Sequence, residues 1–289
     1  MAAEGTMAGR VCVVTGATSG IGRATALGLA RQGATVVACG RDEAKTRATV
    51  EALRRESGNP AVAYALADLT DQAQVRAMAA EINERHPRLD VLINNAGGFF
   101  LRRQESADGI EMTLALNHLA PFLLSHLLLD RLRAGAPARV INVSSAMHRS
   151  AALDLDDLQM KNGYGGAAAY GRAKLALVLF TYELARRLAD RGVTANALHP
   201  GFVATGIGMG DVVARLVRPI MRLFARSPEE GAETSLYLAT SPDVAGVTGA
   251  YFADKEAVDS APATYDEALA RRLWQISADL TGLEERLLA

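Results

Sequence analysis

Short apolar runs alternate along this chain with longer segments in which apolar residues recur every three or four positions. The runs Arg10–Thr15, Thr35–Cys39, Ala61–Ala65, Leu89–Asn94, Ala138–Ser144, Val193–Leu198 and Val247–Phe252 read as strands. Most are apolar without strict alternation, the pattern of strands covered on both faces. Between them, Gly20–Gln32, Asp42–Ser57, Asp71–Arg85, Gly109–Arg133 and Tyr170–Arg191 read as helices. The alternation predicts an α/β fold with a doubly wound parallel sheet of about seven strands flanked by helices. No Pro/Gly/Ser-rich linker or repeat interrupts the series. Residues 10–289 therefore read as one domain, behind a flexible N-terminus of residues 1–9.

Two stretches break the beat. Residues 146–169 are too long and polar for an ordinary strand–helix connection. Residues 201–227 hold a helical pattern, DVVARLVRPIMRLFAR, outside the alternation. Excursions beyond the carboxyl ends of strands are where open α/β sheets bind ligands, so both are candidate substrate-binding loops.

Composition narrows the partners. With 31 basic and 32 acidic side chains the net charge is −1, which lacks the basic surplus that nucleic acid demands. At 49% hydrophobic and 22% charged residues the chain has ample core material. Two cysteines, Cys12 and Cys39, both inside predicted strands, read as buried packing residues in a reducing cytoplasm. The uncharged stretch Met112–Leu129 approaches the length of a spanning helix, but Asn117, His118, Pro121, Ser125 and His126 would be costly in lipid. It reads as a buried helix; the opening MAAEGTMAGR carries no apolar signal run, and no stable membrane anchor is expected. The five histidines show no metal-ligand spacing, so no metal is expected.

The first strand runs straight into Thr15-Gly16-Ala17-Thr18-Ser19-Gly20-Ile21-Gly22 and a helix. Glycines there permit a tight turn and let backbone N–H groups approach a pyrophosphate at the helix N-terminus, the arrangement of a Rossmann-type nucleotide site. The G-x-x-x-G-x-G spacing with Thr15 in front resembles the short-chain dehydrogenase/reductase family. Further matches follow in order over nearly the whole chain: Asp68 after the third strand, Asn94-Asn95-Ala96-Gly97 after the fourth, and Pro200-Gly201 after the sixth. The resemblance implies cofactor contacts by Gly16, Thr18, Ser19, Gly20, Ile21, Gly22, Asp68, Leu69, Asn95, Ala96, Gly97, Pro200, Gly201, Val203 and Thr205. It also implies a homodimer or homotetramer assembled through the long helices.

Cofactor choice turns on the end of the second strand, Cys39-Gly40-Arg41-Asp42. NAD-dependent enzymes of this type place an acid there for the ribose 2′-OH. Gly40 holds that position and Arg41 follows, which suits a 2′-phosphate by charge and fork geometry. NADP(H) is therefore expected over NAD(H), although a slip of two residues would put Asp42 in the acidic position.

Tyr170 and Lys174, four apart, project from one helical face behind Asn142-Val143-Ser144-Ser145. A free tyrosine has a pKa near 10. A lysine ~4 Å away at an effective dielectric near 20 contributes roughly 4 kcal/mol, enough to bring the phenol to about 7. The resemblance makes Tyr170 the acid/base, Lys174 its partner and a holder of the nicotinamide ribose, and Ser145 the donor to the substrate oxygen, with Ser144 the alternative. It makes Asn117 part of a water relay to Lys174. Pro121 lacks the N–H that would bond the Asn117 carbonyl, which leaves that carbonyl free in mid-helix as a water relay requires; the alternative is a mere kink.

From Ser145 to Tyr170 the connection is longer than the commonest family pattern, and it resembles that of retinol dehydrogenase-like and WW-domain oxidoreductase-like members. Phe99, Phe100, Met147, His148, Tyr164, Phe202, Ile207 and Met209 lie on segments expected around the nicotinamide and suggest an apolar pocket for a small-molecule ketone, aldehyde or alcohol. On the 211–226 helical pattern, Arg215, Arg218, Arg222 and Arg226 oppose Val213, Leu216, Val217, Ile220 and Phe224, either a solvated face or a lid whose basic face meets an acidic substrate or a membrane surface. Two other functions compete: a nucleotide sensor that uses the fold only for binding, and an NAD-dependent alcohol dehydrogenase.

Overall fold

In the computed structural model, residues 6–202 and 226–283 are described. Strand β1 (Val11–Thr15), helix α1 (Gly20–Arg31), β2 (Thr35–Gly40), α2 (Glu43–Ser57), β3 (Val62–Leu66), α3 (Gln72–Arg85) and β4 (Val91–Asn94) form the first half. Asp42 and Asp71 start α2 and α3 by accepting the free N–H groups of Lys45, and of Ala73 and Gln74. The second half contains α4 (Met112–Leu114), α5 (Ala120–Leu127), α6 (Leu129–Ala134), β5 (Ala138–Val143), α7 (Gly166–Arg187), β6 (Val193–His199), α8 (Pro228–Thr240), β7 (Tyr251–Ala253), β8 (Glu256–Ala257) and α9 (Glu267–Thr281).

The sheet runs β3-β2-β1-β4-β5-β6-β7-β8, parallel except for the β7–β8 pair. One face is covered by α1, α2 and α8, through side chains such as Leu29, Leu53 and Leu238. The other is covered by α3, α5, α7 and α9, through Met78, Phe122, Phe180 and Trp274. The order reverses between β1 and β4, and their carboxyl ends define the switch point where such sheets hold ligands.

The seventh strand is shorter than the apolar run Val247–Phe252 predicts. Side chains take over the ladder there: Asn196 Nδ2 donates to the Val247 carbonyl, and Thr248 Oγ1 accepts from the Ala195 N–H. The helix expected over 109–133 is divided. A π-helical turn occupies Ala115–Leu119, in which the Ala120 N–H reaches five residues back to the Ala115 carbonyl. Pro121 sits just beyond it, so the missing N–H is accommodated by a wider turn. Residues 6–9, expected to be flexible, form a turn in which Met7 is buried and bonds the Gln32 carbonyl. Helix α9 packs on α5 and on α7, the Tyr170-bearing helix among those through which the resemblance implies oligomer contacts: Trp274 lies 5.2 Å from Phe122 and 5.8 Å from Phe180, centroid to centroid. No helix among the described residues is long and apolar enough to cross a membrane, in agreement with the reading of 112–129 as buried.

Candidate active site

A cleft of about 610 Å³ opens at the carboxyl ends of β1, β2, β4 and β5. Its floor is the glycine-rich turn. Gly16 and Gly20 have φ of +65° and +53°, which a side chain disfavours. A Cβ on Gly16 would lie 2.9 Å from Ala96 Cα, and one on Gly22 would run into the Gly16 carbonyl. Thr15 holds this turn against the β4 loop: its hydroxyl accepts from the N–H groups of Asn95 and Ala96, and Asn95 Nδ2 returns a bond to the Thr15 carbonyl. The two loops thus form a cradle of exposed backbone at the N-terminus of α1, with the space and donors a dinucleotide pyrophosphate needs.

At the far end of the cleft, Gly40 leaves no space for a side chain, because a Cβ would collide with Thr46 and Thr18. Arg41 lines the cleft with its guanidinium 3.4 Å from Asp68. Burial alone would raise the Asp68 carboxyl, but hydrogen bonds from Thr70 and the Arg41 charge hold it below the usual carboxylate range. Asp42 is not part of the cleft lining, and its Oδ1 accepts from the Lys45 N–H at the start of α2.

The reacting end is built by α7, the β5 loop and the π turn. Lys174 is buried, donates to the Val143 carbonyl at 2.8 Å and lies 5.6 Å from the Tyr170 ring centroid. Asn117 is fully buried; its amide donates to the Gly98 and Thr113 carbonyls, and its Oδ1 accepts from the Gly98 N–H. A Cβ on Gly97 would lie 2.8 Å from Asn117 Oδ1 and 3.4 Å from Lys174 Nζ, so this glycine brings the loop down onto both residues. Ser144 donates its hydroxyl to the Lys174 carbonyl, whereas Ser145 Oγ accepts from the Met147 N–H and acts on the Tyr170 phenol, favouring its ionised form. Ser144 is part of the cleft lining and Ser145, the expected donor, is not.

Electrostatics here differ from the simple expectation. Burial pushes the Tyr170 phenol up, and the bond from Ser145 pulls it back only in part. Burial pushes Lys174 down to about 7. The Lys174 ammonium lies over the Tyr170 ring, and desolvation disfavours the charge that was expected to lower the phenol.

The structure brings Gly16, Thr18, Ser19, Gly20, Ile21, Gly22, Arg41, Asp68, Leu69, Asn95, Ala96, Gly97, Tyr170, Lys174 and Pro200 to one cleft. Gly201 adjoins it, with φ +81° and the Arg226 side chain filling the space of its Cβ. Val203, Thr205, Ile207, Met209, Arg215, Arg218 and Arg222 lie outside the described residues. Arg226, expected at a helix end, instead bonds the Phe202 carbonyl through its N–H and pairs with Asp254.

The substrate wall is partly as expected. Phe99 and Phe100 line the cleft, and Phe99 lies 5.6 Å from the Tyr170 ring. Met147 and Phe202 are exposed and lie outside the lining. His148 is a strut: one ring nitrogen bonds the Ser145 carbonyl and the other accepts from the Ala261 N–H. Tyr164 turns its hydroxyl onto the Phe100 carbonyl, away from the cleft. Gln104, Met112 and Leu116 complete the wall. Only their position after β4 could have suggested them.

This architecture is that of a nicotinamide-dependent oxidoreductase built on the doubly wound sheet. The family model described as short chain dehydrogenase matches residues 10–213, and the chain belongs to that family. It is 43% identical to retinol dehydrogenase 14 of Homo sapiens, covering 96% of this chain and 88% of the relative, and 43% identical to retinol dehydrogenase 13 of Homo sapiens over 97% and 87%. Among solved structures it resembles an uncharacterised protein of Mycobacterium paratuberculosis, with a TM-score of 0.78, 33% identity and coverage of 96% and 95%. It also resembles the Pseudomonas aeruginosa RhlG/NADP active-site complex, with a TM-score of 0.68, 30% identity and coverage of 86% and 96%.

Proposed function

We propose that the protein is an NADP(H)-dependent oxidoreductase acting on the carbonyl or alcohol of a lipophilic or aromatic small molecule. The observation that carries this reading is the placement of Tyr170 and Lys174 in the cleft beside the glycine cradle and an apolar wall of Phe99, Phe100, Met112 and Leu116, with Asn117 buried behind Gly97 and Gly98 and Ser145 just past the end of β5. The names of the retinol dehydrogenase relatives support a lipophilic substrate. Gly40, Arg41 and the position of Asp42 outside the cleft lining support a 2′-phosphate. A cytoplasmic location belongs to the same proposal, supported by Cys12 and Cys39, both buried as free thiols.

A nicotinamide cofactor held by the glycine cradle, Arg41, Asn95 and Lys174 would supply the hydride chemistry at the carbonyl carbon. Ser145 and Tyr170 hydrogen-bond the carbonyl oxygen, and Tyr170 gives its phenolic proton to that oxygen as negative charge develops. In the oxidation direction Tyr170 takes the alcohol proton. Lys174 stabilises the resulting phenolate, and Asn117 fixes the Gly97–Gly98 loop against Lys174.

Oxidation of NADPH and NADH is followed in parallel over lipophilic ketones, aldehydes and retinal, with Tyr170→Phe as the control. Turnover with NADPH that falls at least about 100-fold in the variant, with NADPH affinity kept, is the expected result. Tight NADPH binding without turnover on any carbonyl would favour a nucleotide sensor.

A further inference from the structure

The long connection between Ser145 and Tyr170 is built into the cleft wall at several points. Leu158 and Met160 are buried, and Leu153 and Leu155 pack with Leu158 against Ile110, Leu114 and Leu273. Gln159 Oε1 accepts from the Glu111 N–H, and the Gln159 carbonyl accepts from Arg103 Nε. Tyr164 makes the innermost contact. Its hydroxyl shares its one proton between the Phe100 carbonyl at 2.9 Å and Glu111 Oε1 at 3.2 Å, and lies 3.1 Å from Thr113 Oγ1.

Glu111 is the pivot of this contact. Its carboxylate is buried and accepts from the N–H groups of Thr113 and Leu114, which caps α4. Among the described residues no cation pairs with it, so its charge rests on backbone dipoles and on the hydroxyls of Thr113 and Tyr164. The capped turn carries Met112 directly and leads to Leu116, both in the wall. Phe100 is also in the wall, and Phe99 leans on the Tyr170 ring. One phenol therefore joins the two segments that supply the apolar wall. Gly166 makes room for this: a Cβ there would lie 2.6 Å from the same Phe100 carbonyl.

We infer that Tyr164 is a positioning residue for substrate selection, tying the long connection to Phe100 and Glu111 so that the apolar wall is held in place for bulky substrates. This rests on reading the cleft as a carbonyl site. A small aldehyde reacts against Ser145 and Tyr170 without reaching far along the wall, whereas an extended one must be gripped by it. Loss of the hydroxyl should therefore act on KM for extended substrates more than on kcat.

Tyr164→Phe keeps the ring and removes the hydroxyl. The kcat/KM for retinal relative to benzaldehyde, with NADPH, should fall about tenfold, chiefly through KM, the size expected for one lost buried hydrogen bond to a charged network. Hydrogen exchange on the cofactor-free chain should speed up at residues 99–114 and remain as in wild type at 16–22. Thr113→Val, which removes a neighbouring hydroxyl without touching Phe100, should move the ratio less. An unchanged ratio, or unchanged exchange at 99–114, overturns the inference. If the wild type turns over neither aldehyde, the functional reading fails and exchange alone decides, with no increase at 99–114 counting against the tie.

Discussion

Replacing Arg41 by alanine should separate the two nicotinamide cofactors. Arg41 is 76% exposed at the rim of the cleft, and Asp68, at 3.4 Å, is its ion-pair partner. A hydrogen bond to a charged group contributes about 1.5–3 kcal/mol, and exposure puts Arg41 near the lower limit. NADPH should therefore bind about tenfold more weakly to Arg41→Ala. NADH, which offers no 2′-phosphate, should change less than about twofold. The direct assay is titration of each reduced cofactor by fluorescence, at fixed ionic strength because exposed charges are screened. Equal weakening of both cofactors would refute the assignment. The reverse engineering meets a steric obstacle: Gly40→Asp would drive its Cβ into Thr46 and Thr18, so an acid there needs compensating truncations before NADH can benefit.

Trp274→Ala should cost about 3–5 kcal/mol in denaturant unfolding, because the ring is 4% exposed and packed against Phe122, His126 and Phe180. A loss under about 1 kcal/mol would mean that α9 is not part of the cooperative core. Burial holds His118 at about 3 and His126 at about 4, below the ordinary 6.5. Both folded values are depressed, so the unfolded chain binds the protons first: stability is full above about 6.5 and falls as pH drops toward 4. His126→Phe should flatten that fall in pH-dependent unfolding, and an unaltered slope would sink the argument.

Much of the fold follows from local signals. Asp42 and Asp71 mark the starts of α2 and α3 because a carboxylate beside free N–H groups needs no tertiary help. The glycines of the cradle were legible because few other residues adopt positive φ at so close a backbone approach. Tyr170 and Lys174 were legible from helical spacing behind a strand end. What was not legible depends on partners distant in sequence. Tyr164 and His148 looked like pocket aromatics, yet their polar atoms are taken by Phe100 and Ala261. The seventh strand lost its first residues to Asn196 and Thr248, side chains whose pairing no periodicity encodes. Likewise nothing local shows that α9 would cover α5 and α7, because Trp274 finds its pocket only once both helices are assembled.

The opposing effects of burial on Tyr170 and Lys174 reshape the proton chemistry. Desolvation favours the neutral phenol and, with Lys174 at about 7, a substantial fraction of neutral amine near neutral pH. A neutral pair and a phenolate–ammonium pair carry the same net charge, so either can occupy the buried site without adding net charge to it. The coupled pair, and neither residue alone, then sets the pH at which Tyr170 acts as a base. For alcohol oxidation, kcat should rise with pH through an apparent pKa near 7 that belongs to the pair. Lys174→Met keeps the chain length and removes the amine, so the break should move up past the ordinary tyrosine value, because burial raises Tyr170 above it, with activity at neutral pH strongly reduced. A Lys174→Met profile that keeps its break near 7 would show that Tyr170 is tuned from elsewhere, and would leave Lys174 only its bond to the Val143 carbonyl.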